Sequence, residues 1–255
     1  MLPVCIPLLF GASFLVLSAS SMDGSQGSPP TINYTATLGK SVKCLSEVSA
    51  VREAAGLGNF KQASDVDKIS DPKQGNLDDG SQWKNICEYL IPDTQPVAAS
   101  NPENPFKEGT YAFMSLTAAE PNCKDTVDHW KAAFKNFTGL PPSESQAGNL
   151  YNNQDNVSFV ALYNPSSDAT ADCRVVTCTK TTTENEETQS VSEQSPEYGY
   201  ALICKTMPSA FPDGNSAPFT QDQWDKISSS LTGSASTATP GLGAFLIVAV
   251  SMTAL

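Results

Sequence analysis

Histidine is all but missing from this chain: there is one, His129, in 255 residues. Without a second imidazole, a Ser or Cys nucleophile lacks its usual base, and a His-based zinc cluster cannot form. No Cys-x-x-Cys pair occurs, so that zinc-site spacing is absent too. Basic residues are scarce, with 15 Lys and Arg against 27 Asp and Glu and a net charge of −12. The few that exist are scattered, which argues against nucleic acid or anionic lipid as a partner. Long apolar runs are also missing. The two apolar stretches, at the ends of the chain, fall short of the roughly 20 residues a spanning helix needs.

Those two ends carry the clearest signals. Leu8–Leu17 is apolar and uncharged, and the small residues Ser18, Ala19, Ser20 and Ser21 follow it. This is the layout of a secretory signal peptide, residues 1–21, cleaved near Ser21; its n-region has no Lys or Arg. At the other end, 228–240 is small and polar, and Gly241–Leu255 is apolar and uncharged. Small residues, a polar spacer and an apolar tail make up a GPI-attachment signal. The expectation is a stalk and removed signal at 232–255, leaving the protein on the outer leaflet of the plasma membrane. Ser228 gives the best spacer length for attachment, while Gly233 and Ser234 are equally suitable chemically.

Cys5 leaves with the signal peptide. Cys44, Cys87, Cys123, Cys173, Cys178 and Cys204 remain, and an even count in an exported domain implies three disulfides with 15 possible connectivities. Asn33, Asn136 and Asn156 each open an Asn-x-Ser/Thr sequon and are glycosylation candidates. Between an N-terminal extension at 22–39 and the stalk, residues 40–231 have the length of one domain.

Apolar spacing predicts four helices. Val42, Leu45, Val48, Val51 and Ala55 form a stripe opened by Ser41 and closed by Gly56 and Gly58. Trp83, Ile86, Cys87 and Leu90 form a second stripe, ending at Pro92. Cys123, Val127, Trp130, Phe134 and Phe137 form the third. Thr220 and Gln223 make a capping box on the last helix, with Phe219 and Trp224 as its hydrophobic staple and Ile227 and Leu231 on the same stripe. Strands are predicted at Tyr111–Leu116, Val157–Tyr163, Cys173–Thr179 and Tyr198–Thr206. The stretch 92–108 reads as an irregular crossover and 180–196 as a solvated acidic loop open to proteolysis. The result is an α+β fold with a mostly antiparallel sheet.

Cys173 and Cys178 lie five residues apart, so on one strand they point to opposite faces and need different partners. If Cys173 sits opposite Cys204 in a hairpin, Val175 faces Leu202, Thr177 faces Tyr200, and Cys178 falls opposite Gly199, free to reach a helix layer. That register predicts Cys173–Cys204. Cys87–Cys178 and Cys44–Cys123 follow as links from helix to sheet and from helix to helix.

The residues CRVVTC, then YGYALICKTMP, resemble the C-terminal hairpin of CAP-superfamily domains. Arg52, Gly56 and Leu57 are similar to that superfamily's Arg-x3-Gly-Leu, and Val127–Trp130 resembles its later helix. Over residues 40–231 the arrangement is similar to the GPI-anchored SAG surface antigens of coccidian (Eimeria) parasites, with their six cysteines and an APFTQDQW-type last helix at Ala217–Trp224. This implies a CAP-like three-layer α/β/α sandwich. Where CAP domains place a cleft histidine, an asparagine and a later acid, this chain has Val48, Ser49 and Ala133. His129 reads as a surface residue, and Asp65, Asp67, Asp71, Asp78 and Asp79 as a solvated acidic loop without EF-hand spacing. The expectation is therefore no catalytic residue, no metal and no cofactor. The favoured function is a surface antigen or adhesin contacting an unidentified host-cell molecule. The alternative is a lipid- or sterol-binding CAP-like module.

Overall fold

The computed structural model describes residues 30–41, 43–93, 106, 108–183 and 195–233. The predicted signal peptide, Val42 of the first predicted stripe, Ser234, the apolar tail and most of the predicted crossover and acidic loop lie outside the described residues. Strands β1 (Thr31–Leu38), β3 (Thr110–Leu116), β4 (Thr170–Thr183) and β5 (Glu197–Met207) form an antiparallel sheet in the order β1-β4-β5-β3. The two-residue strand β2 (Lys61–Gln62) runs parallel to the start of β4. Five helices flank the sheet: α1 (Leu45–Ala54), α2 (Gln82–Leu90), α3 (Cys123–Ala132), α4 (Gln154–Leu162) and α5 (Gln221–Thr232). The class is α+β, and three disulfides cross it.

The sheet separates two apolar cores because side chains alternate along each strand. Cys173, Val175, Leu202 and Cys204 face one core, which α1, α3, α4 and α5 close with Val48, Trp130, Phe159 and Ile227. Val176, Cys178, Ala201 and Ile203 face the other, closed by Ile86 and Cys87 of α2 together with Ile69 and Leu77. Helices thus lie on both sides of one sheet. The β4–β5 register is the predicted one, with Cys173 opposite Cys204 and Cys178 opposite Gly199.

Three expectations are corrected. Val157–Tyr163 is not a strand; it lies mostly in α4. Phe159, Val160, Ala161 and Leu162 are all buried there, so the run is apolar on every side and its period cannot distinguish a buried helix from a strand. Ser41 does not open α1, whose N-cap is Cys44; the Ser41 hydroxyl instead donates to Asp172. The extension assigned to 22–39 contains β1, in which Tyr34 and Ala36 alternate into the second core.

Both sheet edges are guarded against pairing with another chain. Along β3, Trp130 Nε1 donates to the Phe113 carbonyl at 2.9 Å and Gln154 Nε2 to that of Tyr111 at 3.1 Å. The Phe113 amide donates to Ser158 Oγ at 3.0 Å. On β1, the Leu77 amide donates to the Tyr34 carbonyl at 2.8 Å.

Candidate functional site

The positions where the CAP resemblance would place ligands are filled with hydrocarbon. Val48 on α1 and Ala133, just after α3, are 1% and 3% exposed and belong to the helix-side core. His129 stands apart on α3, with Nε2 3.1 Å from Asp155 Oδ1 on α4, both side chains more than two-fifths exposed. The five Asp of 65–79 do not converge. Asp65 pairs with Lys68, Asp71 with Arg174, Asp78 with Lys73 and Asp79 with Lys84, while Asp67 accepts from Ser64. Among the described residues, no group of three or more His, Cys, Asp or Glu could hold a metal ion.

Buried charge is present, but it braces the frame. Arg52 on α1 is fully buried and has carbonyls for partners. Nε donates to Asn164 O at 3.0 Å, Nη1 to Gly58 O at 2.6 Å, and Nη2 to Ser166 O. Its guanidinium also lies 4.8 Å from the centre of the Phe60 ring. Burial pushes its pKa down to about 10, so it is charged at neutral pH. The side chain ties the end of α1 to the turn that launches β4. Asp172 is buried on the opposite face of β4, accepting from Ser41 and, at 2.9 Å, from the Ile69 amide. Arg174 Nε lies 3.1 Å from Asp172 but has no hydrogen-bond alignment, so that contact is one of charge alone. Neither role was read from the sequence. Arg52 offered one signal, the Gly-bearing turn after it, which frees carbonyls for a buried donor.

The cysteines pair Cys44–Cys123, Cys87–Cys178 and Cys173–Cys204. The first clamps α1 to α3, the second holds α2 to the sheet, and the third spans β4 and β5. The three sequon asparagines are not equivalent. Asn156 is 3% exposed in α4, its amide nitrogen donating to Leu150 O at 2.8 Å and its oxygen accepting from Asn136 at 2.7 Å. A glycan cannot be attached there without breaking the fold, so Asn156 is withdrawn as a candidate. Asn136 is exposed, and Asn33 is half-exposed on β1, where it accepts from Asn76.

At the C-terminal end, Thr220 and Gln223 make the predicted capping box, and the Phe219 ring lies against Trp224. Ser228 sits inside α5, its carbonyl accepting from Thr232, whereas Gly233 is the exposed residue at the helix end. Among the described residues, no helix is long and apolar enough to cross a membrane.

Residues 40–246 match the model of the sporozoite surface antigen (SAG) protein domain. The chain belongs to that family. It is similar to the sporulated oocyst TA4 antigen of Eimeria tenella, 28% identical over 204 residues that cover 74% of each chain. No solved structure matches it. As a SAG antigen of coccidian type, it is a parasite surface protein. The six paired cysteines, the hairpin and the capped last helix lie within the matched span.

Proposed function

We propose that this SAG protein is a non-catalytic adhesin, held in the outer leaflet by a GPI lipid and contacting host cells through the end of the domain remote from the tether. The observation carrying the non-catalytic reading is that Val48 and Ala133 are core residues where a metal-binding cleft would need ligands. Among the described residues, all six cysteines are tied up in disulfides and the histidine lies exposed beside Asp155, which supports that reading. The tether rests on the chain beyond α5, a polar small-residue spacer followed by an apolar tail. The helix–sheet–helix layering supports kinship with CAP domains. The sterol-binding alternative draws nothing from the depression of about 550 Å³ between α1 and α5, which is open and flanked by Asp222, Asp225 and Lys226. Binding of the labelled, glycan-trimmed ectodomain to host cells tests the adhesin reading. Saturable binding, competed by unlabelled protein, is expected; its absence across host cell types would remove the adhesin role.

A further inference from the structure

The helix-side face of the sheet is covered along only part of its length. From Ala171 to Val175 of β4 it lies under the helix-side core. Beyond Val175 the same face continues in two rows that the register sets side by side: Thr37–Thr177–Tyr200, then Thr35–Thr179–Tyr198. Asn33 and Thr181 form the next row. Thr37 and Thr181 are exposed, and Tyr198 is 56% exposed. The other face of these strands is closed: Tyr34, Ala36, Cys178 and Gly199 are buried beneath α2.

The chemistry of this open face is unusual for the molecule that carries it. The chain has a net charge of −12, yet these rows hold no charged side chain. The charges of the same strands, Lys180 and Glu197, alternate onto the opposite face, where they meet at 3.3 Å. Strand propensity explains threonine on a solvated strand. It does not explain why none of these positions is Lys, Arg, Asp or Glu. What remains is a lattice of hydroxyls, about 6.7 Å apart along each strand and about 4.8 Å between strands. Each is both donor and acceptor, and each Thr is stiff at χ1. Two tyrosines add an apolar ring with a polar tip.

A protein partner would seek a mostly apolar interface core, and an anionic ligand a basic one. Hydroxyl pairs beside aromatic rings suit a neutral polyhydroxyl ligand, with C–H faces for the rings and O–H groups for the lattice. The position also fits. Helix α5, as far as Ser229 and Ser230, lines one open depression with Ala54–Gly56 at the C-terminal end of α1, and Gln223 donates to Pro165 O just before β4 begins. The open rows lie seven or more residues further along β4, roughly 23 Å or more from its start. We propose that this threonine–tyrosine face is the receptor surface and that its ligand is an uncharged oligosaccharide of the host cell coat. The assignment rests on the adhesin reading.

The test displays the full-length chain on cultured cells, trimmed of N-linked glycans because the sequon residue Asn33 lies in the face, and stains them with fluorescent polymers bearing galactose-, N-acetylglucosamine- or mannose-terminated neutral oligosaccharides. Sialylated and sulfated counterparts run in parallel. Tyr198→Ala and Thr181→Lys alter exposed positions, and a conformation-dependent antibody confirms folding and surface level. At least one neutral polymer should stain the wild type, at least tenfold above both variants. Staining confined to the acidic polymers, no staining by any polymer, or equal staining of variants and wild type would overturn the proposal. Host-cell binding by the soluble ectodomain separates the two readings. If it is lost in the variants but survives enzymatic removal of host glycans, the face binds protein and the ligand class is wrong. If wild type binds and both variants bind equally, the surface is wrong while the adhesin reading stands. If wild type binds neither cells nor polymers, both fail.

Discussion

Asn156 and His129 show how far a residue's meaning depends on its surroundings. As letters, Asn156-Val-Ser158 is a sequon like the other two. In the fold its amide is sealed between Leu150 and Asn136, and Ser158 caps the β3 amide of Phe113. Glycopeptide mass spectrometry should find Asn156 unmodified. Asn156→Ala should destabilise the domain by about 1–3 kcal/mol in a denaturant titration, since it removes the hydrogen bonds to the Leu150 carbonyl and the Asn136 amide from a buried position of α4. His129 is the converse, a residue whose rarity invites a chemical role. With Asp155 as its charged neighbour and both groups well exposed, the pair resembles an ordinary surface contact. His129→Ala should change stability by no more than about 0.5 kcal/mol. Zinc should leave the melting temperature of wild type unchanged. A micromolar zinc affinity abolished by the substitution would reopen the question of catalysis.

The elements were legible where one face of a helix or strand is apolar and the other polar. That covers α1, α2, α3 and α5, and the hairpin of β4 and β5, whose register follows from two cysteines that must face opposite ways. Legibility failed where burial is two-sided. The α4 run has no polar face to set its period, although Asn153, whose side chain accepts from the Asp155 amide, was an available N-cap signal. β1 failed for a different reason. Ile32, Tyr34, Ala36 and Leu38 alternate plainly, but the strand precedes the first of the six paired cysteines and its partner β4 lies about 140 residues on, beyond the reach of any local pattern. Two of the partners of Arg52, the Asn164 and Ser166 carbonyls, are distant in sequence, and no sequence pattern marks them.

The contact between α2 and the sheet depends on Gly199. A Cβ there would lie 2.8 Å from both Leu90 Cβ and Ile91 Cγ1, closer than real contacts allow. The glycine lets α2 come close enough for Cys87 to bond Cys178, which sits directly opposite Gly199. Gly199→Ala should therefore cost about 1–3 kcal/mol through overpacking. Hydrogen exchange should locate the loosening in α2 rather than in α1 or α3. Uniform loosening of both cores would mean the contact is not local.

At the scale of the whole molecule, the proposed lipid tether raises the question of where the folded domain would stop and the attachment residue lie. Spacer length alone favours Ser228, but the fold argues otherwise. Trp224 and Ile227 are buried on α5, Leu231 packs half-buried against the same core, and Ser230 Oγ donates to Ile227 O at 2.7 Å. Attachment at Ser228 would remove Leu231 and the last turn, exposing apolar surface of α1 and α5 at a cost of about 1–2 kcal/mol. Attachment at Gly233 or Ser234 leaves the helix whole and still leaves a small-residue stretch before the apolar tail. Phosphatidylinositol-specific phospholipase C should release the protein from intact cells. The released chain should yield a C-terminal tryptic peptide that begins at Ile227 and ends at Gly233 or Ser234 with the ethanolamine-linked remnant. A peptide ending at Ser228 would show that α5 is cut short in the mature protein. Recovery of any peptide from Phe245 to Val250 in the mature chain would remove the lipid tether altogether.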